Sequence, residues 1–254
     1  MSTSSTTAES RTGFWERYRL LCNRRGEDAW SVLFGYPVAR FFVVLLVPVR
    51  WVSPSALTLV GFAVKLACVA SIWPALGAPV WAIVVLLQLA QVFDSMDGTL
   101  ARARPQFSKV GAFLDKITDA IGMYAICVAV GVRAAQATGD WWHMILGGVA
   151  GACFLQLCYM YWVVKSAVGT DSSGAAMAGA SDPLPWSQLF REWLGGFPKL
   201  VSFGEADLYL WLAVFAIVDR WDLCVYLLVS TQAIAMVKRT VDHLRILSAA
   251  DGDL

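Results

Sequence analysis

Four aspartates stand within one stretch of an otherwise apolar chain, DSMDGTLARARPQFSKVGAFLDKITD, residues 94–119. One Asp at mid-membrane depth already costs about 2.5–3.5 kcal/mol on insertion scales, so four of them require compensation. On a helix, Asp94, Asp97 and Ala101 share one face, and Asp115 and Asp119 share another. The connection ARPQFSKV makes the two helices antiparallel neighbours, which lets all four carboxylates converge in one cavity. Crowded carboxylates disfavour one another's charge unless a cation stands between them. Hard oxygen ligands suit Mg²⁺ or Mn²⁺, ions that commonly keep positions open for phosphate oxygens. Two such ions spanned by shared carboxylates form a phosphoryl-transfer arrangement. Gly98, Ala101 and Gly111 allow a phosphate or a flat base close to the backbone, and Arg102 offers a guanidinium to a diphosphate.

The commonest alternative use of intramembrane acids is an ion or proton site in a transporter. Spacing argues against that use. The pattern DGxxARx8GxxxDxxxD is met at Asp97, Gly98, Ala101, Arg102, Gly111, Asp115 and Asp119, with Asp94 three residues upstream. Eight specified positions coincide by chance on the order of once in 10⁹ trials at average residue frequencies. The pattern resembles the signature of the CDP-alcohol phosphotransferase (phosphatidyltransferase) family. Upstream, VSPSALTLVG at 52–61 is similar to the Pro-x-x-x-Thr-x-x-Gly start of that family's first span, with Ser55 where Asn is usual.

The resemblance implies a metal-dependent enzyme that moves a phospho-alcohol group from a CDP-linked donor to an acceptor hydroxyl. CMP is released, as in phospholipid biosynthesis, and at least one substrate is a lipid. By position, Asp94, Asp97 and Asp115 would hold two Mg²⁺ or Mn²⁺ ions, with Asp119 a shared ligand or the general base. Gly98, Ala101, Arg102, Gly111 and Thr58 would line the CDP pocket, and the resemblance also implies a homodimer. Aspartate-rich prenyltransferases, another metal-diphosphate class, use DxxxD clusters without the paired DG and AR elements.

The acceptor is less legible. Lys109, Lys116, Arg104, Lys165 and Lys199 are basic candidates to meet an acceptor phosphate, and each also suits an interfacial anchor. Lys65 lies mid-span on the face of Thr58 and Gly61, placed either to snorkel or to pair with an acid near the site. Glu205 and Asp207 enter the fifth span where an inositol-phosphate-using relative would carry arginine. They lean toward a cationic or neutral polyol acceptor, although acids at a helix N-terminus are ordinary.

These residues need a bundle to hold them. The chain has 254 residues, 58% hydrophobic and only 15% charged, with twelve tryptophans. Runs at 55–73, 80–100, 110–133, 143–165, 206–219 and 222–240 are the spanning candidates against the roughly 20 residues that cross a hydrocarbon core, the fifth of them short unless its helix extends into FGEADLY. The reading is an all-α integral membrane domain over 31–245, with six transmembrane helices and a juxtamembrane amphipathic helix at 34–51. Residues 1–30 form a polar, partly disordered N-terminus, and 246–254 a tail. The loop 166–204 begins flexible, with Asp182 a helix N-cap candidate. Trp186, Leu189, Phe190, Trp193, Leu194 and Phe197 then recur at helical spacing.

Arg11, Arg17, Arg19, Arg24, Arg25, Arg40 and Arg50 precede the first span, so the N-terminus is expected to be cytoplasmic. Six spans place the loop of Arg102, Arg104 and Lys109, that of Arg191 and Lys199, and the tail on this same side. Both termini and the active site are then cytoplasmic, in a bacterium at the cell membrane. A seventh span through 34–51 would send the arginine-rich end outside. Scattered basic residues exclude a nucleic-acid patch, and no apolar h-region marks a signal peptide. Six cysteines without CxxC spacing read as small core residues rather than a disulfide or zinc framework.

Overall fold

The computed structural model describes residues 13–23, 28–104, 106, 108–168, 183–201 and 204–252. The described residues are helical with no strand. Five helices are long and apolar enough to cross a membrane: α3 (Pro54–Ile72), α4 (Val80–Ala103), α5 (Lys109–Thr138), α6 (Trp142–Val168) and α9 (Trp221–Gly252). Three more are short by comparison: α1 (Phe14–Leu20), α2 (Tyr36–Leu46) and α7 (Trp186–Leu194). The remaining helix, α8 (Glu205–Ile217), has 13 residues. At 1.5 Å per residue it spans about 20 Å, short of a roughly 30 Å hydrocarbon core. The expected fifth span is therefore not a full-length transmembrane helix.

Local chemistry explains where the helices start. Ser53 caps α3, accepting from the amide of Ala56, and Pro54 follows at the first helical position. Ser108 caps α5 in the same way, accepting from the amide of Gly111 at 2.8 Å. Gly139, with φ at +75°, ends α5 in the left-handed conformation that glycine adopts without a Cβ clash. α8 and α9 are joined through Asp219, a non-glycine residue at φ +52°, whose carboxylate accepts from Trp221 Nε1 at 2.8 Å.

Helices in lipid gain little from hydrophobic association, so close van der Waals packing must hold them. Small residues supply it. A Cβ on Gly147 would come 2.6 Å from the Cys127 carbonyl oxygen and 2.8 Å from Gly131 Cα, so α5 and α6 touch backbone to backbone. A Cβ on Gly61 would come 3.0 Å from Phe93 Cβ, which sets the approach of α3 to α4. Cys68, Cys127 and Cys224 are buried in the main core and all six cysteines are free thiols, as their apolar setting implied.

α2 buries Ala39 and Val43 against Leu57, Val92, Met96 and Leu100, while Phe41, Phe42 and Leu45 face outward. Arg104 fixes its far end. The guanidinium donates to the carbonyls of Leu46, Val47, Val49 and Val52, satisfying groups that a helix terminus leaves open. Part of the N-terminal segment, Phe14–Leu20, is helical. α1 sets Phe14 edge-on against Phe41 and stacks Tyr18 on Trp186, and Arg19 donates to the carbonyls of Pro183 and Leu184. α7 carries exposed Trp186, Phe190, Trp193 and Leu194. Residues 1–12 and Asp182 lie outside the described residues, and Pro185 occupies the N-cap of α7.

Candidate functional site

α4 and α5 run antiparallel, and their junction brings the acids together. Oxygens of Asp94, Asp115 and Asp119 lie within 4.8 Å of one another. Asp94 and Asp115 are half-buried, whereas Asp119 is buried. Asp97 stands beside this trio with a different set of partners. It accepts from Thr58 Oγ1 at 2.6 Å and from the amide of Gly98. Asp94 and Asp115 remain within its electrostatic reach.

Two lysines enter the cluster. Lys65, in the middle of α3, is 3% exposed and places Nζ 2.8 Å from Asp94 Oδ1 and 2.5 Å from Asp119 Oδ1. Of the two roles open to it, the structure selects the ion pair rather than snorkelling. Gly122 is the residue that sequence reasoning missed here. A Cβ at Gly122 would come 2.8 Å from Lys65 Cδ, so the bare α5 backbone makes room for the lysine stem. Nothing in the spacing marks it, because the contact joins two helices far apart in sequence. Lys116 is more open, 3.1 Å from Asp115 Oδ2 and 3.7 Å from Asp119 Oδ2.

Of the positions expected around a CDP pocket, Thr58 shares the cleft with the acids. Thr58, Gly61, Lys65, Asp94, Asp97 and Asp119 share one cleft. Arg102 folds back along α4, its guanidinium 3.2 Å from where a Gly98 Cβ would stand, and donates to Thr99 Oγ1 at 3.1 Å. Gly111 faces the start of α3, where a Cβ would meet Ser108 Oγ at 2.9 Å and Ser55 Oγ at 3.2 Å. Ala101 is half-buried on the same helix as Asp97.

Among the acceptor candidates, Glu205 is exposed at the start of α8, within electrostatic reach of Lys116, Lys65 and Asp94. Asp207 has another use. It is fully buried and accepts from the amides of Trp30 at 2.7 Å and Gly204 at 2.9 Å, so it caps α8 and anchors the segment before α2. It is thus occupied in holding the fold, and of that pair only Glu205 is exposed. Arg104 likewise spends its donors on carbonyls after α2. Lys109 is exposed at the first turn of α5, and Lys165 lies over the rings of Tyr161 and Trp162 as an interfacial anchor would. Lys199 lines a separate groove between α1, α2 and α7, which also contains Tyr18, Arg40 and Trp186 but none of the aspartates.

The carboxylate trio fits a divalent cation: hard oxygens from two helices, close enough to share one ion. Five membrane-length helices with an acidic cleft where α4 meets α5 define an integral membrane protein of the helical-bundle class. The family model for CDP-alcohol phosphatidyltransferase matches residues 51–190, over half of the chain, and the chain belongs to that family. The match contains α3 to α6 and all four aspartates. Membership supports a transferase with a CDP-alcohol donor and an alcohol acceptor. No curated protein matches the chain.

Proposed function

We propose that this protein transfers a phosphatidyl or similar phospho-alcohol group from a CDP-linked donor to an alcohol, releasing CMP. The convergence of Asp94, Asp115 and Asp119 beside Asp97, inside the matched region, carries this reading. Asp94, Asp97 and Asp115, with Asp119 shared, are the residues that would hold Mg²⁺ or Mn²⁺. Such an ion, when bound, would neutralise the donor diphosphate and make its phosphorus more electrophilic.

The chain's own groups do the rest. Arg102, released from Thr99, reaches a diphosphate oxygen, while Gly98, Ala101 and Gly111 leave the backbone open to the nucleotide. Thr58 orients Asp97. Asp119 has one oxygen on Lys65, and its Oδ2 accepts the acceptor's hydroxyl proton as that alcohol attacks phosphorus. Lys116 and Glu205 stand at the exposed side of the cleft, where an acceptor headgroup enters. Most of the acceleration comes from positioning and charge neutralisation.

Charge and the course of α8 support the proposed sidedness. That helix starts near Lys116 and leads to α9, whose first residue Trp221 lies under Arg133 at the far end of α5. Taking α8 as a shortened sixth passage, we place both termini and the site on the cytoplasmic side and α2 in the interface, a reading that the arginine-rich N-terminus supports. We carry over the homodimer from the family. The test is thermal unfolding in detergent with CDP and Mg²⁺ or Mn²⁺. The expected result is stabilisation that Asp97→Asn or Asp115→Asn abolishes; wild-type protein indifferent to cytidine nucleotides refutes the reading.

A further inference from the structure

Lys65 is an expensive residue to place in the middle of a membrane helix, and the fold makes specific provision for it. Its stem passes Gly122, where even one methyl group would intrude to 2.8 Å. Its ammonium takes one oxygen from each side of the cleft, Asp94 Oδ1 on α4 and Asp119 Oδ1 on α5. Only 4% of its side chain is exposed, so the ammonium has no ready path out to water. Lys116 differs: 43% of its side chain is exposed, and it can swing away.

The charge balance gives this a consequence. Counted formally over the groups bonded to one another across the cleft, Asp94, Asp115 and Asp119, with Asp97 beside them, bring four negative charges against two positive ones from Lys65 and Lys116, while Glu205 stands outside this set at the exposed start of α8. The difference of about −2 is matched by a single divalent cation. A second ion without substrate would leave a half-buried cleft with a net positive charge, which is unfavourable where solvation is poor. The diphosphate of a nucleotide reverses that balance.

We propose that Lys65 is a built-in counter-cation that restricts the donor-free site to one divalent ion, the second entering only with the donor's diphosphate. The inference rests on the functional reading above, and deepens it by coupling metal loading to donor binding. Lys65 acts as a positioning residue: it holds Asp94 and Asp119 in register and sets the charge that the second ion meets.

The test counts Mn²⁺ bound per purified full-length chain by the loss of the free-ion paramagnetic resonance signal, with and without CDP. Wild-type protein is expected to bind about one ion alone and about two with saturating CDP. Lys65→Met keeps the stem against Gly122 and removes the charge, and is expected to bind about two ions without CDP. Its metal-free form should also unfold at lower temperature and recover when Mn²⁺ is added. Gly122→Ala, which crowds the stem without touching a carboxylate, is expected to weaken the dependence on CDP in the same direction. Wild-type protein binding two ions without CDP overturns the proposal, as does a folded Lys65→Met still limited to one. If neither form binds Mn²⁺ even with CDP, the functional reading fails along with it. The wild-type comparison decides the matter even if both variants fail to fold.

Discussion

Thr58 Oγ1 and Asp97 Oδ2 lie 2.6 Å apart in a buried hydrogen bond that joins α3 to α4 beside the acid trio. The bond sets Asp97 apart from its neighbours, since a neutral donor holds it where lysines hold Asp94, Asp115 and Asp119. A hydrogen bond to a charged group is worth about 1.5–3 kcal/mol. Thr58→Val, which keeps the shape, should therefore lower the unfolding temperature and, because Asp97 loses its fixed orientation, also lower kcat/KM by about 10- to 100-fold. Steady-state kinetics of CMP release beside a melt checks this; unchanged kinetics would remove Thr58 from the site.

In the proposed reaction Asp119 takes the acceptor's proton on Oδ2, the oxygen not bonded to Lys65. Asp119→Asn should keep CDP affinity within a few-fold and lose about 10²- to 10⁴-fold in turnover, the usual contribution of a general base. Calorimetric CDP titration and CMP release measure the two separately. Retained turnover would dismiss the base assignment.

Arg104 predicts a different kind of damage. Its guanidinium meets four carbonyl oxygens at the end of α2, at 3.2 Å for Val47 and 2.8 Å for Val49 among them. Arg104→Met removes four donated bonds, of which the Leu46 and Val49 carbonyls keep a backbone donor, and should destabilise the protein by about 2–4 kcal/mol. Denaturation in mixed micelles reads this directly. Full stability with activity lost for phosphorylated acceptors alone would instead make Arg104 a substrate ligand.

Adjacent glycines offer an internal control on packing. Gly147 presses on Gly131 and the Cys127 carbonyl, whereas a Cβ on Gly148 would meet nothing within 4 Å. Gly147→Val should cost about 2–4 kcal/mol, and Gly148→Val less than about 0.5 kcal/mol. Equal effects in the same denaturation assay would contradict the α5–α6 contact.

The chemistry-bearing stretch was legible because its spacing is local. Two helix faces and a short connection suffice to bring Asp94, Asp115 and Asp119 together. Five of the six apolar runs became membrane-length helices for the same reason, since length and composition alone decide that property. What escaped depends on contacts between distant segments. Asp207 looks like an ordinary first-turn acid until Trp30 is found donating to it, and Arg104 looks like a loop cation until the end of α2 folds onto it. Gly122 is one small residue among many until the Lys65 stem crosses it. The fifth apolar run, 206–219, is short already in the sequence, and α8 extends it back only to Glu205 and ends at Ile217, leaving 13 helical residues.

The central claim is that the acid cleft grips the diphosphate of a CDP-linked donor and passes its phospho-alcohol group to a hydroxyl. Incubating purified protein with CDP-diacylglycerol and a panel of alcohols, with Mn²⁺ or Mg²⁺ and then with EDTA, tests it while also sorting acceptors. The account predicts CMP release that needs both the divalent ion and one particular alcohol, and that disappears in Asp115→Asn. CMP release that persists in EDTA or in Asp115→Asn would contradict it.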